Sequence, residues 1–193
     1  MRRVAILFSH LGSGSEVVFD ALCKHPRIDG FRTGAAYDHY DKIVDLTAHR
    51  HKNENASAIW LDEVLHNHQF TCKPIREHVS PIFVLREPRG TLAEILWRHP
   101  EYDAQRAADY YRYRISGLCE YAHRSPHPFV VVYGEMNLNG IEGFLGVKEP
   151  VERPVPIAPD VSDLPLSIIE ECEACYELHL GHLSRAGRWS CGG

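Results

Sequence analysis

The sequence has no apolar run long enough to cross a bilayer, and its N-terminus enters a short apolar segment at Val4 instead of a secretory signal. It also has no excess of positive charge, because 21 lysines and arginines stand against 26 aspartates and glutamates, for a formal net charge of −5. That balance gives no electrostatic reason to expect nucleic acid or an anionic membrane as a partner. We therefore expect one cytoplasmic domain over residues 1–193, with no nucleic-acid or membrane partner.

Cysteine is too sparse for a disulfide scaffold, since the chain contains only six. Histidine is abundant, with 13 residues, and one group has a spacing that resembles a zinc site: Cys172, Cys175, His179 and His182. On a single helix, however, Cys172 and His182 would lie ~15 Å apart along the axis, which is too far to share one ion. We expect reduced thiols and no metal site.

Three uninterrupted apolar runs predict strands that are buried on both faces of a sheet: Val4–Phe8, Pro81–Leu85 and Pro128–Tyr133. A further short strand is predicted at Arg27–Phe31. Helical spacing predicts helices from Val17 to a stop at His25-Pro26, and at Ser57–Leu65, Thr91–Arg98, Asp103–Arg124, Ile141–Leu145 and Ser167–Leu183. Strands that alternate with helices predict a three-layer α/β/α domain with a mainly parallel central sheet.

A loop of small residues, Ser9–Ser15, lies between the first strand and the first helix. Glycines at such a place allow backbone N–H groups to turn toward a ligand, and the helix N-terminus adds a partial positive charge of about half an electron. The candidate anion-binding residues are Gly12, Ser13, Gly14 and Ser15. The loop is not a nucleotide P-loop, because that motif has Lys and then Ser or Thr after its second glycine, whereas Ser15 and Glu16 follow here. A tight turn without a ligand is the alternative.

Arg86 stands at the carboxyl end of the second buried run. Ligands of open α/β sheets collect at the carboxyl ends of strands, so Arg86 and the glycine loop should lie on the same edge. A guanidinium beside backbone donors suits phosphate or sulfate. The alternative is an ion pair of Arg86 with Glu87 or Glu94. Near the C-terminus, Arg185 is either a second anion contact or part of a frayed end.

The order of these motifs resembles the sulfotransferase family over most of the chain. The matching segments are Ser13-Gly14-Ser15 before a helix that ends at His25-Pro26, then Lys73-Pro74, Leu85-Arg86-Glu87-Pro88-Arg89, Tyr133-Gly134-Glu135-Met136, Phe144-Leu145-Gly146, the last-helix residues Cys172, Tyr176 and Leu180-Gly181, and a weaker Arg185-Ala186-Gly187 with Trp189. The resemblance implies a P-loop NTPase-like fold and 3′-phosphoadenosine 5′-phosphosulfate as co-substrate. It implies in-line sulfuryl transfer to a hydroxyl or amine of a small-molecule or glycan acceptor, with positive groups stabilising the bridging oxygen.

The resemblance also implies roles for single residues. Ser13, Gly14 and Ser15 would hold the 5′ end of the donor, and Arg86, with Arg185, the 3′-phosphate. Three positions depart from the family pattern. Gly12 replaces Lys or Arg, Glu16 replaces Ser or Thr, and Glu94 replaces the serine of the 3′-phosphate site.

His10 is the candidate for the missing positive charge or for a general base. Two functions stay open: a divergent sulfotransferase, or a catalytically inactive sulfotransferase-fold protein that binds no donor. The polar segment Gly34–Asn55 is predicted to face the acceptor. The sequence specifies neither the acceptor nor the oligomeric state.

Overall fold

The computed structural model describes residues 4–30, 59–64, 79–125, 127–134, 138, 140–152 and 164–185, with the backbone alone for 60–64. The elements in these ranges are, in chain order, β1 (Val4–Phe8), α1 (Ser15–Cys23), β2 (Ile28–Gly30), β3 (Ile59–Val64), β4 (Val79–Leu85), α2 (Pro88–Arg98), α3 (Ala104–Arg124), β5 (Phe129–Val132), α4 (Ile141–Leu145) and α5 (Leu166–Arg185). The strands form one parallel sheet in the order β2-β3-β1-β4-β5. The predicted α/β class with a parallel sheet is confirmed.

The core lies on both faces of the sheet, because successive side chains of a strand point to opposite sides. In β1, Val4, Ile6 and Phe8 pack in the cluster that contains the buried faces of α2, α3 and α5. Ala5 and Leu7 pack in the other cluster, with α1 and α4. All five residues of β1 are buried, which explains its uninterrupted apolar sequence. Burial of each large side chain stabilises the fold by about 1.5–3 kcal/mol.

The helix predicted at Ser57–Leu65 is wrong, because Ile59–Val64 forms strand β3. A short apolar run fits the period of a helix and that of a buried strand equally well. The fold decides between them, since β3 lies between β2 and β1 and pairs in parallel with both. Pairing on both edges outweighs a weak local preference for helix.

The turn from β4 into α2 is short because Glu87 caps the helix directly. Its carboxylate accepts two hydrogen bonds from the backbone N–H of Gly90, at 2.9 and 3.1 Å. Pro88 occupies the first helical position, where its missing N–H costs nothing. Glu87 is therefore engaged by the helix, and Arg86 stands between it and the last residue of β4, Leu85.

The predicted helices at Thr91–Arg98, Asp103–Arg124, Ile141–Leu145 and Ser167–Leu183 are confirmed with small shifts of their ends. Asp103 caps α3 by accepting a hydrogen bond from the Arg106 N–H at 2.7 Å. Of the helices that the structure describes, none is both long enough and apolar enough to cross a membrane.

The loop after β1 needs its glycines for two reasons. Gly12 and Gly14 have φ of 71° and 74°, in the left-handed region that other residues rarely adopt. Gly14 also lies against the ring of Tyr133, so that a Cβ on Gly14 would come within 2.0 Å of Tyr133 Cε2. A Cβ on Gly12 would lie 2.8 Å from the carbonyl oxygen of Thr91 in α2. The loop is thus packed closely between α2 and the end of β5.

We expect Gly14→Ala to lower the free energy of unfolding more than Gly140→Ala, measured by urea denaturation. Gly140 has a similar φ of 82°, but no described atom lies within 4 Å of its Cβ position. Gly140→Ala therefore reports backbone strain alone, roughly 1–3 kcal/mol. Gly14→Ala adds the collision with Tyr133. Equal losses in the two variants would show that Tyr133 does not hold the loop.

Candidate functional site

Three chain segments meet at the carboxyl edge of the sheet: the glycine loop after β1, Arg86 after β4 and Tyr133 after β5. Arg86 Nη1 donates a hydrogen bond to the carbonyl oxygen of Gly12 at 2.8 Å. The expectation that Arg86 and the glycine loop share one edge is therefore confirmed. The guanidinium also lies over the ring of Tyr133, 4.5 Å from its centroid, so it contacts both the loop and the segment after β5.

The loop is held by its own hydrogen bonds and by a neighbouring helix. The N–H of Ser13 donates to the carbonyl of His10 at 3.0 Å, and the N–H of Ser15 donates to Ser13 Oγ at 3.2 Å. The N–H of Leu11 donates to the Tyr110 hydroxyl of α3 at 2.9 Å. Ser13 and Ser15 are both buried, and the Ser13 oxygen accepts within the loop. The loop is thus fixed before any ligand is bound.

Arg86 is buried, and a buried charge needs a partner. Its Nη1 lies 2.5 Å from Glu94 Oε2, so the ion pair that the sequence left open is formed with Glu94. Gly90 makes room for the guanidinium, since a Cβ at that position would lie 2.9 Å from Arg86 Nε. A carboxylate therefore already occupies one side of the arginine that the sequence predicts to bind an anion.

The charge network extends outward from Glu94. Its second oxygen, Oε1, accepts a hydrogen bond from Arg98 Nη2 at 2.8 Å. Arg98 in turn holds Glu16 through two contacts of 2.9 and 3.2 Å, and the hydrogen bond to Glu16 is the main cause that raises the pKa of Arg98. Glu16 is thus drawn toward Arg98 at the surface, whereas Glu94 remains beside Arg86. The formal charges of these four side chains sum to zero.

His10 is almost fully buried below the loop. Its Nδ1 lies 3.0 Å from the Leu11 carbonyl, and its Nε2 accepts from the Arg86 N–H at 3.4 Å. The tautomer with a proton on Nδ1 satisfies both contacts. Burial, followed by the charges of Arg114 and Arg86, lowers the pKa of His10 to about 3. A neutral imidazole with such a pKa supplies no positive charge at neutral pH and is a weak general base, so the structure argues against both roles considered for His10.

A second buried arginine, which the sequence analysis missed, lies at the base of the loop. Arg114 Nε donates to the carbonyl of Ser9 at 2.7 Å. Burial lowers the pKa of Arg114 to about 10, so it remains charged at neutral pH. The signal in the sequence is its place on the buried stripe of α3, with Ala107, Tyr111 and Leu118 at helical spacing. A charge on an apolar stripe calls for a partner.

The structure does not bring Arg185 to this edge. Arg185 lies at the end of α5, in a groove of about 560 Å³ between α3 and α5 that is also lined by Cys119 and His179. Cys119 lies roughly 12 Å along the axis of α3 from Tyr111, whose hydroxyl donates to the Arg86 carbonyl. Among the described residues no group of three or more histidines, cysteines or carboxylates is arranged to hold a metal ion.

Two other predicted segments fall outside the described residues. They are the acceptor-facing segment Gly34–Asn55 and the pair Lys73-Pro74. The site as described therefore consists of the glycine loop, Arg86 with Glu94, Arg98 with Glu16, and the supporting side chains of Tyr133 and Arg114.

No protein-family model and no curated protein sequence matches the chain. Solved structures do. The mouse sulfotransferase SULT7A1, in a complex with PAP, superposes with a TM-score of 0.55 at 14% identity, over 77% of this chain and 60% of the mouse chain. The sulfotransferase domain of the Synechococcus olefin synthase superposes with a TM-score of 0.51 at 15% identity, over 98% of this chain and 97% of that domain. The chain has a sulfotransferase-like fold.

The burial of His10 predicts a specific dependence of stability on pH. Because the pKa of His10 falls from 6.5 to about 3 on folding, the unfolded chain binds more protons between these values, and stability is lost as the pH drops below 6.5. His10→Gln should remove about 2 kcal/mol of the stability loss between pH ~7 and pH ~5. The measurement is urea denaturation at both pH values.

His127→Gln is the matched control, because His127 is exposed. It should leave the pH dependence of the wild type unchanged. An identical dependence in wild type and His10→Gln would mean that folding does not lower the pKa of His10.

Proposed function

We propose that the protein is a sulfotransferase, which transfers a sulfuryl group from a nucleotide 5′-phosphosulfate to a hydroxyl or amine of a small-molecule or glycan acceptor. The observation that carries the proposal is the contact of Arg86 with the glycine loop, at 2.8 Å from the Gly12 carbonyl. It brings a guanidinium and the N-terminus of α1 to one edge of the sheet, as a polyanionic donor requires. The sulfotransferase-like fold supports it.

In this proposal the loop holds the 5′ end of the donor. The backbone N–H of Gly14 and the positive end of α1 face the phosphosulfate, while the N–H groups of Ser13 and Ser15 donate within the loop and fix its backbone. The acceptor oxygen or nitrogen attacks sulfur, the bond from sulfur to the bridging oxygen breaks, and the nucleotide leaves with the electron pair. The acceptor proton passes to solvent or to a base outside the described residues.

The developing charge on the bridging oxygen needs a cation, and the loop has Gly12 where the family has Lys or Arg. Two described arginines contact the loop: Arg86 donates to the carbonyl of Gly12 and Arg114 to that of Ser9. Charges that are fixed by burial and hydrogen bonds stabilise a transition state without reorganisation. Arg86 is already paired with Glu94, so in the proposed enzyme the positive charge of Arg114 beneath the loop replaces that of the loop lysine.

The donor is proposed to be an adenylyl phosphosulfate. The resemblance of the sequence implies 3′-phosphoadenosine 5′-phosphosulfate, and the similar mouse structure is a complex with PAP.

The position of Arg86 also supports a second candidate function. Because Glu94 already pairs with Arg86, a sulfotransferase-fold protein that binds no donor is the alternative.

Nucleotide binding separates the two candidates. We expect adenosine 5′-monophosphate, 3′-phosphoadenosine 5′-phosphate, or both, to raise the melting temperature of the wild type, since a ligand that binds only the folded state stabilises it by about 2.7 kcal/mol at a hundred times its Kd. The Arg86→Ala and Arg86→Lys variants should lose the shift. The lysine variant keeps the charge but lacks the planar fork.

Arg89→Ala is the control for the Arg86 variants. Arg89 lies in the first turn of α2, close in sequence to Arg86, but it pairs with Glu173 of α5 at 2.9 Å. Its removal should leave the nucleotide-dependent shift intact. No shift in the wild type with either nucleotide at roughly millimolar concentration, well above a micromolar Kd, would contradict the transferase and favour the inactive protein.

A further inference from the structure

We propose that Glu94 makes this site select a nucleotide whose ribose hydroxyls are free over one that carries a phosphate on the ribose. The inference rests on the proposed function, because it assumes that the glycine loop binds the 5′ end of a nucleotide. It concerns which nucleotide is preferred, and it assigns Glu94 the role of a specificity-determining residue.

The first argument is the charge that a ribose phosphate would meet. Glu94 Oε2 lies 2.5 Å from Arg86 Nη1, so the guanidinium is already neutralised by a carboxylate. A second phosphate carries a charge of about −1.5 to −2 at neutral pH. It would have to approach Arg86 beside a fixed negative charge of the same sign, and like charges at such distances repel strongly where water is scarce.

The second argument is that Glu94 cannot easily leave. Its Oε1 is bound by Arg98 at 2.8 Å, one helical turn further along α2, and Arg98 is itself held by Glu16. A phosphate that displaced the carboxylate from Arg86 would leave it within reach of Arg98 and therefore still near the phosphate. The network thus keeps a negative charge at this place.

The third argument is that the carboxylate is well suited to a hydroxyl. Its two oxygens accept from Arg86 and Arg98, and an ionised carboxylate offers about four acceptor positions. The side chain of Glu94 is 18% exposed, so a ligand can reach it. In dinucleotide-binding folds a carboxylate takes the ribose hydroxyl and an arginine takes the ribose phosphate. Here the Glu94 carboxylate is paired with Arg86, so the arginine is not available to a ribose phosphate.

The fourth argument is distance. The Cβ of Glu94 lies 3.4 Å from the Cβ position of Gly12, and Arg86 Nη1 contacts both Glu94 and the Gly12 carbonyl. The carboxylate therefore stands next to the loop that would hold the 5′-phosphate. We infer that the ribose attached to that phosphate meets this carboxylate.

Titration calorimetry with three nucleotides tests the inference. We expect the wild type to bind adenosine 5′-monophosphate at least roughly tenfold more tightly than 3′-phosphoadenosine 5′-phosphate, and more tightly than 2′,3′-dideoxyadenosine 5′-monophosphate. Glu94→Gln removes the charge but keeps the shape, so it should reduce or reverse the preference against the bisphosphate. Glu173→Gln, which removes a carboxylate that pairs with Arg89 outside this network, should keep the wild-type preference.

The outcomes distinguish the inference from the proposed function. Tighter binding of the bisphosphate than of the monophosphate to the wild type would overturn the inference and leave the proposed function intact. Equal binding of the monophosphate and its dideoxy form would also overturn it. No binding of any of the three nucleotides would overturn both. The wild-type comparison needs no substitution, so it stands even if Glu94→Gln does not fold.

Discussion

A single buried guanidinium connects the parts of the candidate site. Arg86 binds the Gly12 carbonyl of the loop, the Glu94 carboxylate of α2 and the ring of Tyr133 after β5. A charge at this depth is tolerated only when it is paired and hydrogen-bonded, and breaking one partner of a buried pair typically costs about 3–5 kcal/mol. The ion pair with Glu94 is thus a structural requirement, and any ligand anion at this edge competes with it.

The glycine loop is held in place by neighbouring elements, although its own sequence has no lysine. Three side chains from distant parts of the chain hold its backbone: Tyr110 and Arg114 from α3, and Tyr133 after β5. Arg114 and Arg86 place positive charge beneath and beside the loop carbonyls. These two arginines come from the start of the turn after β4 and from α3, whereas the loop's own sequence has neither lysine nor arginine.

The elements that could be predicted from the sequence are those with one dominant pattern. Val4–Phe8 is apolar without interruption because it is buried on both faces, and α3 keeps its helical spacing over five turns. Strand β3 could not be predicted, because its pattern fits two periods and only its pairing with β1 and β2 decides. The contact of Arg86 with Glu94 was one of two alternatives, and the cap formed by Glu87 removed the other. The role of Tyr133 depends on tertiary contacts that no local pattern indicates. Helical spacing places Arg114 on the buried stripe of α3 but does not identify its partner, the carbonyl of Ser9.

Charge neutrality at this edge has a consequence for how the site can discriminate among ligands. Arg86, Arg98, Glu94 and Glu16 form alternating pairs whose formal charges cancel, so the network adds little long-range attraction for an anion. Affinity for the proposed nucleotide would then come from short-range contacts with the loop and with Glu94. The strength of short-range contacts depends on where the hydroxyl and phosphate groups of a ligand lie. The long-range attraction of a net charge depends only on the total charge of the ligand. For the nucleotide that we propose as ligand, a neutral network of this kind would therefore favour recognition of one nucleotide over binding of polyanions in general.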